Sequence, residues 1–286
     1  MTDQALSRGA GLRPLGRVEV LHLFPEERQH LLELLRGLSA EEWNLPTVGP
    51  GWSVGDIARH LLGDDLGRLS RVRDGFREAS QAESGKDLVA LVNHLNQRWV
   101  AALRRLSQKV VCDLLEVTGE WTHAYFATLD LESIGSPVSW AGPDPAPVWL
   151  DIAREYTERW HHQQQMRHAV GAPELSSRRL LAPVLSTFVF AMPWTYRAVI
   201  ADEGATVALQ ITGEAGGAWT LQRENGAWRL YVGAQEQATA RVTLDQNRAW
   251  RLYTKGITSS EAERHARIDG DHHLAKAALR MVSVIG

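Results

Sequence analysis

The 286-residue chain has very little cysteine, and this scarcity limits the kinds of cross-link and metal site that it can form. Cys112 is the single cysteine, so internal disulfides and zinc sites built from several cysteines are excluded. We expect Cys112 to be a small buried hydrophobe. Every apolar run is shorter than the ~18 residues that cross a membrane, and the initial MTDQALSRGAGLRPLG lacks the apolar core of a signal peptide. These absences predict a cytoplasmic protein.

The chain also has no excess of basic residues over acidic ones. The chain holds 31 Lys+Arg and 34 Asp+Glu, which gives a formal net charge of −3 and excludes a broadly basic nucleic-acid binder. Neither the glycine-rich dinucleotide fingerprint nor the P-loop pattern occurs, so nucleotide cofactors have no support. We therefore expect no nucleic acid and no membrane as a partner, and a monomer or a homodimer.

What is present in the first part of the chain is a helical pattern. Apolar residues at helical spacing predict helices over residues 18–38, 53–82, 86–115 and 148–170, joined by loops rich in glycine and proline. Ser53 is a candidate N-cap, with Asp56 as the acidic partner of a capping box. Four long helices predict a helical bundle over residues 18–172, preceded by a flexible arm over residues 1–17.

The second part of the chain, residues 173–286, has a different pattern. A helical stretch follows residue 173, and Pro193 should end or kink it. Short strands are predicted over residues 206–212, 218–223, 228–232 and 240–244. Asp245 should cap a helix through Tyr253, and Asp271 should begin a last helix that runs to about residue 284. The fold class is therefore α+β with two domains, the second having a mainly antiparallel sheet.

The segment REYTERWHHQQQMRH, residues 154–168, concentrates candidate metal ligands. Glu158 and His162 are four residues apart, so they share a helix face and can point at one ion. Imidazole and carboxylate are ordinary ligands of zinc, nickel and iron. His161 lies one helical step, about 100°, from His162. The two histidines cannot both serve one site, and from spacing alone either is a candidate.

A third ligand has to come from elsewhere, and His60 is the leading candidate. It lies about two turns into the predicted second helix, between Ile57 and Leu61, on a face that should be buried. A buried histidine needs a partner, and a metal is one such partner. The alternative is a core histidine satisfied by a carboxylate or a carbonyl. Asp64 could orient the imidazole, but we favour a solvent-exposed position for it.

Four segments of the chain resemble one protein family. WNLPTVGPGWSVGDIARHLLGDD and EYTERWHHQQQMRHAVG are similar to the two helical motifs of the DinB-like, mycothiol-dependent maleylpyruvate isomerase family. ATARVTLDQNRAWRLYTKG and ARIDGDHHLAKAALRMVSVIG resemble its C-terminal domain. The resemblance implies a DinB-like four-helix bundle followed by a smaller, sterol-carrier-like α+β domain. It also implies a divalent metal held by His60, Glu158 and His162, with zinc preferred to nickel, iron or manganese, and so selects His162 over His161.

The resemblance further implies a reaction. The family joins a low-molecular-weight thiol to an electrophilic small molecule, and the metal holds the thiol as the reactive thiolate. We therefore expect a transferase or an isomerase that uses mycothiol or bacillithiol as cosubstrate. The alternative is a non-catalytic, metal-containing protein that binds a small molecule. A metal-free regulatory or damage-response protein is a third hypothesis.

One departure from the family concerns the substrate. The family has an arginine in a Trp-Leu-Thr-Gly-Arg-like segment of the C-terminal domain, where this chain has WRLYTKG. Lys255 stands near that position, and Arg251 stands one helical turn earlier. Lysine lacks the bidentate fork that holds a dicarboxylate, which argues against maleylpyruvate as the substrate. Arg251 and Lys255 are predicted contacts for an anionic substrate, and solvated or ion-paired side chains are the alternative.

Overall fold

A computed structural model of the chain describes residues 11–49, 51–76 and 88–284. The chain divides into two compact units. The helical unit comprises Glu19–Val138, Asp144–Leu175 and Val284–Gly286, and the sheet unit comprises Met1–Val18, Ser139–Pro143 and Ser176–Ser283. Among the described residues, each helix is either too short or too polar to pass through a bilayer.

The helical unit contains six α-helices within the described residues. They are α1 (Phe24–Gly37), α2 (Ala40–Trp43), α3 (Val54–Arg68), α4 (Leu88–Leu103), α5 (Gln108–Ala127) and α6 (Val148–Val170). Helix α1 packs against α5 and α6, and α3 packs against α4, α5 and α6. The apolar core between them includes Leu31, Leu35, Ile57, Leu61 and Leu115. This packing brings α3 and α6, which carry the candidate ligands, side by side.

Side-chain caps define where these helices begin. The Ser53 hydroxyl accepts a hydrogen bond from the Asp56 backbone N–H, and the Asp56 carboxylate accepts one from the Ser53 N–H, so the predicted capping box at the start of α3 is confirmed. Ser107 caps α5 in the same way, accepting from the Val110 N–H. These local bonds satisfy backbone donors that have no partner inside the helix.

Two predicted helix bounds are wrong. The helix predicted over residues 86–115 is two helices, because α4 ends at Leu103 and the Ser107 cap begins α5, which continues to Ala127. The first helix begins at Phe24 rather than at residue 18. The predicted second helix continues from α3 through a π-helical turn, Leu69–Arg73, and its predicted end at residue 82 lies outside the described residues.

The sheet unit is built around six strands. Its elements are β1 (Arg13–Pro14), α7 (Arg178–Phe188), α8 (Met192–Thr195), β2 (Thr206–Thr212), β3 (Gly217–Glu224), β4 (Ala227–Val232), β5 (Ala240–Asp245), α9 (Gln246–Tyr253), α10 (Ser259–His265), β6 (Arg267–Gly270) and α11 (His272–Ala278). The strand order is β1-β4-β3-β2-β5-β6. Among these described strands, only the pairing of β2 with β5 is parallel. The predicted α+β class, the mainly antiparallel sheet and the four predicted strands are confirmed.

Several details of the sheet unit differ from the prediction. Residues 13–14 of the predicted arm pair with β4, and β6 was not predicted because its sequence, RIDG, lacks an apolar alternation. Helix α7 ends at Phe188, and Pro193 lies in the first turn of α8 rather than ending α7. The last helix begins after its Asp271 cap, as predicted, but ends at Ala278.

Candidate metal centre

Three candidate ligands converge between α3 and α6. The His60 Nε2 atom lies 3.1 Å from His162 Nε2. Glu158 Oε1 lies 3.0 Å from His162 Nε2 and 3.7 Å from His60 Nε2. The three atoms lie within 4.8 Å of one another, and within the described part of the chain this is the group of His, Cys, Asp and Glu side chains that could hold a metal ion. The group contains His162 and not His161.

The spacing of these atoms fits a divalent metal. Zinc bonds of about 2.0–2.2 Å in a tetrahedral arrangement place neighbouring ligand atoms about 3.4 Å apart. The three separations of 3.0, 3.1 and 3.7 Å lie around that value. Two imidazole nitrogens and one carboxylate oxygen form a donor set that suits zinc, nickel and iron. The residues therefore fit the metal that the family resemblance implies.

The two histidines are held in different ways. His162 Nδ1 lies 2.8 Å from Gln165 Oε1, a contact that fixes the orientation of a ligating imidazole. His60 Nδ1 is buried and has no hydrogen-bond partner among the described residues. The Trp52 ring packs against the His60 ring with centroids 4.9 Å apart. The ring of His60 is thus positioned by packing, and the ring of His162 by a hydrogen bond.

The carboxylates and imidazoles at this site shift one another's pKa values. Burial alone would raise the pKa of Glu158, but His162 and His60 outweigh it and hold that pKa well below its usual range. Burial disfavours the His60 imidazolium, yet Asp64 and Glu158 outweigh it, so the pKa of His60 is raised. At neutral pH, Glu158 is therefore an ionised carboxylate.

Asp64 does not face only solvent, so the preference stated from the sequence is wrong. Its Oδ2 atom lies 3.4 Å from His60 Nε2, and its side chain is 29% exposed. Burial raises the pKa of the Asp64 carboxyl. The sequence contained a signal for this position, since His60 and Asp64 have the same four-residue spacing as Glu158 and His162.

His161 is buried beside the group without belonging to it. The residue is 8% exposed, and its ring centroid lies 5.2 Å from that of His162. Burial and the neighbouring His162 lower the pKa of His161 to about 3. His161 is therefore a neutral, buried side chain at physiological pH.

The neighbouring face of α6 contributes to a buried ion network centred on Asp65 of α3. This carboxylate is fully buried and accepts hydrogen bonds from Arg28 at 2.8 Å, Arg159 at 2.7 Å and Thr118 at 2.9 Å. Gly119 makes room for Arg28, because a Cβ atom at residue 119 would lie 2.9 Å from Arg28 Nε. Asp65 is thus fully engaged in holding α1, α5 and α6 to α3.

Glu155 extends this network along α6. It accepts a hydrogen bond from Arg159 at 2.7 Å and pairs with Arg68 and Arg154. Burial alone would raise the pKa of Glu155, but these arginines hold it well below its usual range. The network consists of side chains that satisfy one another.

Arg251 and Lys255 lie at the end of α9 in the sheet unit. The Arg251 guanidinium stands over the Trp250 ring, 4.4 Å from its centroid, and donates to the Asn247 carbonyl at 3.0 Å. Lys255 has a left-handed backbone with φ +63°. The Gly256 N–H donates to the Arg251 carbonyl at 2.7 Å, which closes the helix. Contact of either side chain with an anionic substrate stays a prediction.

Cys112 and Ser53 have structural roles. Cys112 is 2% exposed, and burial raises the pKa of its thiol, so it is the inert hydrophobe that we expected. His272 and His273 are exposed in the first turn of α11. Ser53 stands in GWSVG, which matches the Gly-x-Ser-x-Gly pattern of serine hydrolases, but its hydroxyl caps α3 and accepts from the Asp56 N–H at 3.2 Å.

Comparisons with known proteins agree with this architecture. The model of the family described as "Mycothiol maleylpyruvate isomerase N-terminal domain" matches residues 24–167. Uncharacterized proteins from two strains of Mycobacterium tuberculosis, CDC 1551 / Oshkosh and H37Rv, are each 23% identical over 245 residues, covering 82% of this chain and 91% of the relative. The crystal structure of a histidine-to-alanine mutant of mycothiol-dependent maleylpyruvate isomerase has a TM-score of 0.50 at 12% identity, covering 81% of this chain and 86% of that one. This last similarity shows a shared fold.

Proposed function

The chain belongs to the mycothiol maleylpyruvate isomerase N-terminal domain family, and from this premise we propose that it is a metal-dependent enzyme that uses a low-molecular-weight thiol. The enzyme acts on an electrophilic small molecule, either as a transferase or as an isomerase. The observation that carries this proposal is the convergence of His60, Glu158 and His162 within 4.8 Å.

Each residue of the site has a defined task in this proposal. His60 and His162 offer their Nε2 atoms, and Glu158 offers a carboxylate that stays ionised because its pKa is held low. Gln165 keeps the His162 ring in its ligating orientation. Trp52 covers one side of the His60 ring. A zinc ion bound by this set would lower the pKa of a thiol and so supply a thiolate nucleophile at neutral pH.

The reacting thiol has to be a second molecule. Cys112 is the only cysteine of the chain, and it is 2% exposed with a raised thiol pKa. A buried thiol of this kind is a poor nucleophile. Mycothiol and bacillithiol are the cosubstrates that we propose, with Arg251 and Lys255 as contacts for an anionic electrophile.

Two measurements on the purified protein test this function. The first determines the bound metal, and the second follows thiol consumption with a panel of electrophiles, using mycothiol, bacillithiol and glutathione in turn. We expect close to one divalent ion per chain and electrophile-dependent loss of thiol, both removed by His60→Ala and retained by His161→Ala. Bound metal without thiol consumption would favour a non-catalytic small-molecule-binding protein, and equal behaviour of the two variants would refute the ligand assignment.

A further inference from the structure

A second carboxylate lies at the candidate metal centre. Asp64 Oδ2 is 3.4 Å from His60 Nε2, the same nitrogen that lies 3.1 Å from His162 Nε2. Among the described residues, this approach to His60 is the only polar side-chain contact that Asp64 makes. The adjacent Asp65, by contrast, accepts hydrogen bonds from Arg28, Arg159 and Thr118. Asp64 is therefore a carboxylate without an arginine or lysine partner, placed against a metal-ligating nitrogen.

The two helices present matching pairs of donors. Helix α3 carries His60 and Asp64, and α6 carries Glu158 and His162, each pair with the four-residue spacing that places side chains on one helix face. Each helix thus offers one imidazole and one carboxylate. Neutral imidazoles and two carboxylates together carry a charge of −2, which balances a divalent cation. Because His60 is 2% exposed, charge balance matters more here than at a surface site.

We propose that Asp64 is a fourth donor, so that the metal centre at rest is closed by two side chains from α3 and two from α6. His60, Glu158 and His162 form the tight group, and Asp64 stands next to it, with Oδ2 3.4 Å from His60 Nε2. This inference rests on the metal site of the proposed function. A thiolate has the same charge as the Asp64 carboxylate, so it can take the place of Asp64 without changing the net charge of the centre.

The test uses the full-length, metal-depleted protein with metal alone as the first probe. Zinc affinity is measured by competition with a chromogenic chelator, and the coordination number is followed by the visible absorption of bound Co²⁺. The variants are Asp64→Ala, Asp64→Asn and the carboxylate-retaining Asp64→Glu. Asp113→Asn is the matched control, because Asp113 is an exposed carboxylate on α5 that pairs with Lys109. Circular dichroism of the metal-free proteins confirms that each variant folds.

We expect Asp64→Ala and Asp64→Asn to weaken zinc binding by at least about 10-fold, since the loss of a residue that only supports a metal ligand already costs that much. Both should change the Co²⁺ spectrum. Asp64→Glu should restore much of the affinity, and Asp113→Asn should match the unaltered protein. A simple thiol such as 2-mercaptoethanol should shift the Co²⁺ spectrum of Asp64→Ala at lower concentration than that of the unaltered protein, because Asp64 no longer competes with it.

Two results would overturn the inference. Unchanged zinc affinity in Asp64→Ala would show that Asp64 is no donor, and a weaker affinity with an unchanged Co²⁺ spectrum would show that it acts from outside the coordination sphere. In both cases the unaltered protein still binds metal, so the proposed function survives. Absence of metal binding by the unaltered protein would refute both proposals.

Discussion

Two neighbouring faces of α6 differ sharply in how their polar groups are satisfied. Arg159 donates to Asp65 and Glu155, and Gln163 donates to Glu27 and accepts from Arg167. One residue earlier in each case, Glu158 and His162 point at other potential ligands rather than at cationic side chains.

The difference shows that one helix serves two purposes. On the network face, formed by Arg159 and Gln163, the protein supplies both the donor and the acceptor of nearly every side-chain hydrogen bond. These hydrogen bonds hold the helices together. On the ligand face, formed by Glu158 and His162, a carboxylate oxygen and an imidazole nitrogen lie 3.0 Å from each other and within 3.7 Å of His60 Nε2. A divalent cation is the natural partner for such a set. The free energy of unfolding of the metal-free protein should therefore depend on the network face, and metal binding should depend on the ligand face.

The largest effect is expected from breaking the network face. Asp65→Ala leaves Arg28 and Arg159 buried without their shared carboxylate, and removal of one partner from a buried ion pair costs about 3–5 kcal/mol. Urea denaturation of the metal-free protein measures this loss. As a control, Asp113→Ala removes an exposed pair with Lys109 and should cost less than about 1 kcal/mol. Similar losses in the two variants would contradict the distinction between the faces.

Breaking the ligand face should remove metal-dependent stability. A ligand at 100 times its Kd stabilises a folded protein by about 2.7 kcal/mol. We expect added zinc to raise the Tm of the unaltered protein and of His161→Ala, but not that of His60→Ala. Thermal denaturation with zinc and with a chelator provides the measurement. A zinc-dependent shift that survives in His60→Ala would place the metal elsewhere.

The pH dependence of the metal-free protein should separate the two faces further. Because the folded-state pKa of His60 is raised above 6.5, its contribution is fully present below pH 6.5 and is lost as the pH rises through the folded pKa. Because the folded-state pKa of Glu155 lies below 4.5, its contribution is present above pH 4.5 and is lost as the pH falls through the folded pKa.

The measurement for this prediction is the free energy of unfolding from pH 3 to pH 9. One unit of pKa shift corresponds to about 1.4 kcal/mol. His60→Gln should flatten the curve on the alkaline side and change its acid side less, by the part that His60 contributes to the low pKa of Glu158. A variant that flattens the acid side instead would show that the two titrations have been assigned to the wrong faces.

The smallest effect should come from a residue on neither face. Lys255 has φ +63°, a conformation that favours glycine, so Lys255→Gly should stabilise the protein by up to about 1 kcal/mol. Zinc affinity should not change. If Lys255 contacts an anionic electrophile, the same variant should raise KM for that substrate and not for an uncharged one. A change in zinc affinity would contradict a metal centre formed by side chains of α3 and α6 alone.

The sequence was most informative where the determining interactions are local. The capping box of Ser53 and Asp56 and the spacing of Glu158 and His162 depend on residues within one helical turn, and both could be predicted. The break between α4 and α5 also had a local signal, the Ser107 cap, which a continuous apolar pattern obscured.

Interactions between distant segments were harder to predict. The direction of Asp64 depends on how α3 packs against α6, so its position beside His60 could not be distinguished from solvent exposure. The pairing of Arg13–Pro14 with β4 joins residues far apart in the chain. A strand of only two residues is also too short to show the alternation of apolar and polar residues that predicts a strand. The ligand set itself was selected by family resemblance, because spacing alone left His161 and His162 as alternatives.

His60 and His162 are 102 residues apart in the chain, so the ribosome synthesises them at different times. At about 5–20 residues per second, the ribosome adds His162 roughly 5–20 s after His60. During that interval the nascent chain contains His60 but neither Glu158 nor His162, the other two proposed ligands. If His60, Glu158 and His162 bind a metal as proposed, all three ligands are in place only after α6 has been synthesised and has packed against α3.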